Sequence, residues 1–431
     1  MPNDDSKNLP SDEQSKQPLS LPIVDMDFEP PEPWGVPEIE PSTLLAAIES
    51  EQPPTAEEAE HCLRAIAGDK IEVLGDAEVA TEFATWSRAV RLQGHDVPLV
   101  IWVERIREEA IEHMPPYAIK TRWLLGVQTA LDPAAPMQSW TWLAQLLGAI
   151  HPELCAMFDV ETGQWFPHEE FHDRLMGDDA SPEESMLFRL HATASEPEPE
   201  RAESVWLRTV GLHRCGRPEI EVLEVQGLHV GVVQQLLEAV AALSIVRGCP
   251  PPDTSFDLGV GVELSLRAWE RQAEHLSPKS IGNHEHRLSL GGANEDRNAL
   301  LHGRAILCAA VPVIEGSNLY SWPQEAAERL ERGEAALERT TAWSKARARE
   351  AQKGWDVLLE GHKAGRLARV CVALETTGGG REHVWLALEI AEQGRLVGRL
   401  LSTPADLQIE SGAPVEFTRE QVIDWALMRG E

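Results

Sequence analysis

His383-Val384-Trp385-Leu386-Ala387-Leu388-Glu389-Ile390 alternates strictly, with Val384, Leu386, Leu388 and Ile390 on one parity and His383, Trp385 and Glu389 on the other. Successive side chains of a strand turn to opposite faces, so this stretch reads as a half-buried strand. Working outward, Leu396, Gly398 and Leu400 repeat the pattern beyond a hairpin turn at Glu392-Gln393-Gly394, as do Val415 with Phe417. Gly394 suits the positive φ of such a turn. Upstream, Val370, Val372 and Leu374 alternate before the loop Thr376 to Gly380. Four short strands this close predict a small SH3-like β-barrel or strongly bent sheet over 363–431. Thr418 and Gln421 form a capping-box pair, which predicts a short final helix that docks Val422 and Trp425 on the barrel.

Trp385, Gly398 with Leu400, Pro404, Gly412 with Val415 and Phe417, and Asp424-Trp425 together resemble the bacterial domain of unknown function 2314. That family often has Asn near the turn proline, where this chain has Ser402-Thr403. A second segment runs Trp206-Leu207-Arg208-Thr209-Val210-Gly211-Leu212-His213-Arg214-Cys215-Gly216. It is similar to the Trp-Leu-His-Thr-His-Gly-Leu signature of domain of unknown function 4026, a family that often directly precedes the first. Arg208 and Val210 stand where that family often has His, so a metal or acid–base role carried by those histidines has no counterpart here. Neither resemblance implies a known activity.

Composition sets outer bounds. A chain of 431 residues with 42% hydrophobic content is expected to hold two or three domains with real cores. A net charge of −33 argues against nucleic acid and anionic membranes as partners and for a basic protein, if any. The charge is uneven: residues 1 to 60 hold 15 acids, two lysines and 11 prolines. Residues 1–40 therefore read as a disordered acidic tail, or as a docking tail with Trp34 as anchor. The acidic N-terminus has no secretory pattern, and Gly231 to Val246 reads as a core helix, too short for a confident membrane span. Six isolated cysteines suit reduced thiols in a cytoplasm and give no zinc spacing.

Along the chain, Ser42 or Thr43 is read as capping a helix to Glu49, and Thr55-Ala56-Glu57-Glu58 as opening a helix to Ala67. Ile71 to Leu74 and Leu99 to Val103 read as strands around a helix from Val79 to Arg91, a small α/β subdomain over 41–113. Strands at Trp123–Leu131, Leu154–Val160, Ser185–Ala194 and Ile220–Val225, with helices at Pro136–Ile150 and Val230–Val246, predict an α+β core over 119–323. Val260–Leu266 and Ala305–Ile314 read as further strands. The Ala-, Glu- and Arg-rich run over 324–362 reads as one long connecting helix. The whole is an α+β, multi-domain protein: a mixed α/β sandwich core, a long connecting helix and a C-terminal barrel.

Few residues suggest chemistry. His284 and His286 with His302 form the best metal candidate, set against a polar loop with chance histidines, and no metal is expected. Gly291-Gly292 lacks the Lys-Ser/Thr of a phosphate loop. His213-Arg214-Cys215 offers a nucleophile beside a base, although neighbours in sequence seldom face one another. Asp132, Asp159 and Glu169-Glu170 are carboxylates that no spacing selects. Trp385 is either an exposed anchor or part of a core on the far side of its sheet. The candidate binding residues are Trp385, Pro404, Asp424, Trp425, His213 and Arg214, with no cofactor. The leading expectation is a non-catalytic binding or interaction protein, of adaptor or immunity type; the alternative is an enzyme with its site near 206–216.

Overall fold

Ser42-Thr-Leu-Leu-Ala-Ala-Ile48 forms strand β1 (Ser42–Ile48), not the expected helix. It is buried along almost its whole length because it lies inside a sheet, where both faces are covered. Such a strand shows a continuous apolar run that periodicity cannot separate from a helix. Its neighbours are β5 (Trp123–Thr129) and β6 (Ala156–Asp159), both antiparallel. The sheet extends through β4 (Leu99–Arg105), β3 (Ala84–Leu92) and β2 (Ile71–Gly75) on one side and β7 (Gln164–Pro167) on the other. It thus crosses the 113–119 boundary. Most of the helix expected from Val79 to Arg91 is β3: a bulge at Ala84/Trp86 breaks the two-residue alternation that would have shown a strand.

The computed structural model describes residue 34 and residues 40–67, 71–79, 81–92, 97–176, 180–195, 204–269, 272, 281–282, 304–311, 313, 315, 320–376, 381–392, 395–404 and 407–428. The readings made for most of the tail, for the loop after Ser195, for His284, His286 and His302, for Gly291-Gly292 and for Gly394 lie outside them.

Helix α1 (Ala56–Ala67) opens as expected, with the Thr55 amide and hydroxyl donating to Glu58 Oε2 and the Glu58 amide donating to Thr55 Oγ1. After a short α2 (Glu108–Ile111), α3 (Pro136–Ile150) packs on β1, β5 and α1. Its proline sits in the first turn, where a missing N–H costs nothing. A second sheet runs β11 (Ser255–Asp257), β13 (Glu263–Ala268), β14 (Arg304–Ala309), β10 (Glu219–Gln226), β9 (Ser204–Val210) and β8 (Arg189–Ala194). Only β10 and β14 pair in parallel. Helix α5 (Val230–Arg247), after a short α4 (His168–Phe171), packs on β9 and β10. By length and composition α5 could cross a bilayer; here Val233, Leu236, Leu237 and Val240 are buried in the protein core. The two sheets share one hydrophobic cluster. Trp34 belongs to that cluster too, and its indole Nε1 donates to the Pro250 carbonyl at 2.8 Å. The tryptophan read as an anchor for a partner is thus held by its own chain.

The run over 324–362 is three helices rather than one: α6 (Gln324–Glu331), α7 (Thr341–Lys353) and α8 (Trp355–Lys363). Between α6 and α7, β15 (Ala336–Leu337) pairs with β12 (Gly259–Val260). Gly354 divides α7 from α8, and a Cβ there would lie 2.3 Å from the Trp425 ring. The third sheet runs β19 (Pro414–Phe417), β18 (Arg395–Leu400), β17 (Arg381–Glu392), β16 (Ala368–Glu375) and β20 (Val422–Leu427), all antiparallel. Its edges, β19 and β20, do not pair, so among the described residues the expected SH3-like barrel is an open sheet. The capping box of Thr418 and Gln421 is present but opens only the 3-10 turn Arg419–Gln421. The expected last helix is β20, because Val422 to Leu427 supply the second partner of β16. Helices α7 and α8 cover the sheet through a separate core containing Trp355, Leu358, Val370, Val372 and Leu386.

Candidate functional site

The segment between β9 and β10 draws together the densest polar cluster described. Gly211 opens it at φ +114, where a Cβ would meet the Leu187 carbonyl at 2.5 Å, so both backbone and space require glycine. A 3-10 turn, His213–Cys215, then aims two cationic side chains in different directions. Arg214 is wholly buried. Its Nη1 and Nη2 donate to Asp159 Oδ1 and Oδ2 at 3.0 and 2.8 Å, a bidentate pair. Nη1 also reaches Ser42 Oγ at 2.9 Å and Glu161 Oε2 at 3.1 Å, and Nη2 the Leu187 carbonyl at 3.0 Å. Trp140 Nε1 donates to Asp159 Oδ2 at 2.7 Å. One guanidinium of the second sheet is thereby tied to β1, to β6 and to the turn after β6.

His213 faces the other way. Its Nδ1 lies 2.7 Å from Glu219 Oε1 and its Nε2 3.4 Å from Glu40 Oε2. Burial works to lower its pKa, but the bonds to Glu219 and Glu40 outweigh that and raise it to about 9. Glu219 also accepts from Thr209 Oγ1 at 2.6 Å and from the Gly211 amide at 2.8 Å. Burial and the neighbouring Asp159 carboxylate push Glu161 up to about 7 against the pull of Arg214. Burial drives the Cys215 thiol up to about 12. A thiol so far from its thiolate, with no exposed surface, is no nucleophile. The arrangement ties the two sheets together. Asp132, another carboxylate no spacing had selected, folds back to accept from the Ala134 amide in the turn before α3.

The C-terminal candidates divide. Cys371 pairs with Trp385 on one side and with Asp424 on the other, so the three form one row across β17, β16 and β20. Cys371 itself is buried, with Trp343 and Ala348 of α7 packed against its cluster. Trp385 is 36% exposed and Asp424 is exposed. In the next row Arg369 lies between Ala387 and Ala426. Trp425 points the other way: its indole Nε1 donates to the Ala351 carbonyl at 3.1 Å and its ring packs at the α7–α8 break. It is a packing residue. Pro404 lies half-buried in the turn after β18. The structure thus places His213 and Arg214 on one turn with different partners, and Trp385 and Asp424 in one row of the third sheet with Cys371 between them.

Two clefts flank α7. One, of about 560 Å3, is lined by Ser181, Leu243, Arg247, Arg339, Thr340 and Lys345. The other, of about 860 Å3, lies between α7 and the π-helical turn His172–Met176 and is lined by His168, Glu169, His172, Glu183, Arg347 and Glu350. Arg349 and Lys353 of α7 bridge to Asp173 there. Sequence reasoning singled out Glu169-Glu170 but passed over the frame around them, His168-Glu169-Glu170-Phe171-His172. Its signal is the H-E-x-x-H spacing, which puts two histidines on one helix face.

Comparison with family models gives one match: the model described as Protein of unknown function (DUF4026) C-terminal covers residues 190–301. The span includes His213, Arg214 and Glu219 but not Ser42, Asp159 or Glu161, so the buried cluster straddles its boundary. Neither the curated proteins nor the solved structures give a match.

Proposed function

We propose that this chain is a non-catalytic binding protein, of adaptor or immunity type, that meets its partner with the exposed part of the C-terminal sheet around Trp385. One observation carries the reading: Trp385, a large aromatic side chain left 36% exposed, stands in one row of the sheet with the exposed Asp424. Tryptophan is enriched among the few residues that carry most of the energy of protein contacts. The sealed Cys215 and wholly buried Arg214 support the non-catalytic side of the reading, because the segment that had suggested an enzyme is occupied by its own ion pairs.

The partner is a protein with a basic surface, which a net charge of −33 attracts at long range. Six free cysteines suit a reducing cytoplasm. In finer terms, the five-stranded sheet with its bulges at Leu388/Ile390 and Cys371/Val372 is an opened SH3-like unit. It retains the likeness to domain of unknown function 2314. Residues before 190 then supply the N-terminal half that a domain called C-terminal presupposes.

The test compares the full chain with Trp385→Ala and His213→Ala as immobilised baits, read by mass spectrometry alongside thermal melts. A partner captured by the full chain and by His213→Ala, but lost from Trp385→Ala at unchanged Tm, supports the reading. A partner that Trp385→Ala retains in full overturns it.

A further inference from the structure

β7 ends at Pro167 and passes directly into α4. The His172 amide donates to the His168 carbonyl, so the two residues lie one α-helical turn apart on the same face. Their ring centroids are 6.1 Å apart with planes inclined by 38°. Phe171 is buried in the core, which fixes the rotation of the turn and leaves both imidazoles on its outer side. His168 Nδ1 lies 2.7 Å from the Leu154 carbonyl. A carbonyl only accepts, so Nδ1 carries the proton and the Nε2 lone pair is left for a ligand, the orientation that metal-binding histidines show. The chain then widens into the π turn His172–Met176, a distortion that recurs at functional positions. Both rings line the larger cleft. So does Glu183, only 8% exposed, whose Oε2 is buried with no hydrogen-bond partner while its other oxygen pairs with Arg174.

We propose that His168 and His172 hold a borderline divalent transition-metal ion, of which Zn2+ is the type case, on the wall of this cleft. Two neutral imidazoles select such ions over Mg2+ or Ca2+, which take oxygen ligands. Among the described residues no group of three or more His, Cys, Asp or Glu stands ready to cage a metal. Of the described residues, His168 and His172 are its ligands. The site lies on the first sheet's side of the cleft and is independent of the contact face at Trp385.

The test is calorimetric titration of the full chain with zinc sulfate alone, in a non-chelating buffer. Three variants accompany it: His172→Ala, His168→Gln, and the double variant His284→Ala with His286→Ala. His172 is exposed, so His172→Ala should melt as the parent does. One Zn2+ per chain is expected, with affinity about tenfold or more weaker in either single variant and unchanged in the double variant. No zinc uptake by the parent overturns the proposal. So does uptake that His172→Ala leaves unchanged, or that only the double variant abolishes.

Discussion

The cluster around Arg214 and the sheet around Trp425 do the same job with opposite materials. Each fastens separate elements: Arg214 joins two sheets, and Trp425 joins a sheet to the α7–α8 break. The first does it with one buried cation between two carboxylates, five acceptor atoms lying within 3.1 Å of its two terminal nitrogens. The second does it with hydrocarbon contact and one indole bond. A buried charge without its partner is far worse than a buried charge with one, whereas an apolar contact degrades gradually. The polar joint should therefore fail abruptly, and the apolar one by degrees.

The largest effect is expected at the joint. Arg214→Ala leaves Asp159 buried and unpaired and should cost about 3–5 kcal/mol, read as a lower urea midpoint for the two-sheet body while the C-terminal unit unfolds as before. Arg214→Lys should rescue little, since one ammonium cannot span both Asp159 oxygens and the Leu187 carbonyl. A mild phenotype for Arg214→Ala would erase the contrast.

Next comes pH. His213 rises from 6.5 to about 9 in the fold. The folded state thus holds a proton that the unfolded state releases, so this stabilisation is complete below pH 6.5 and disappears as pH rises through 9. The loss should reach about 3 kcal/mol at most. Glu161, raised from 4.5 to about 7, has the same sign, but its loss is complete nearer neutrality. Between pH 7.5 and 9.5 urea midpoints should fall for the parent and fall less steeply for His213→Asn, whose remaining slope comes from buried thiols such as Cys215, Cys249, Cys308 and Cys371 that ionise only on unfolding. Parallel slopes would remove His213 from the joint.

Smaller again is Gly354→Ala, whose methyl collides with the Trp425 ring. About 1–3 kcal/mol is expected, confined to the C-terminal unit and visible as a shift of Trp fluorescence at lower urea. Least of all, Trp385→Ala should change stability by no more than about 0.5 kcal/mol, as exposed positions do. A larger loss would place Trp385 in a core rather than on a contact face.

How much of this was legible depends on the range of the interactions. Helix α3, the capping box of α1 and the alternation of β17 are local patterns, and each appears where it was read. β1 was missed because a strand covered on both faces carries no alternation, and β20 because its capping box promised more helix than one turn. His213 and Arg214 were singled out, but Ser42 and Asp159 lie 172 and 55 residues away from Arg214. No spacing rule reaches that far, so the ion pairs that bury Arg214 could not be read from its own segment. Trp385 and Asp424 came into one row only through the register of β16 between them. The pair His168 and His172 was local and readable, and was hidden by attention to the two glutamates it encloses.

The central place of β1 has a consequence for the chain as it is made. β1 leaves the ribosome before either of its partners exists: Ser42 must wait for Thr129, and Leu44 for Asp159. At 5–20 residues per second that wait is on the order of ten seconds. During it the run Leu44 to Ile48 stays uncovered, a sticky ribbon with both edges bare. Nascent chains of this protein should accordingly engage a holding chaperone early and release it only when β6 has emerged.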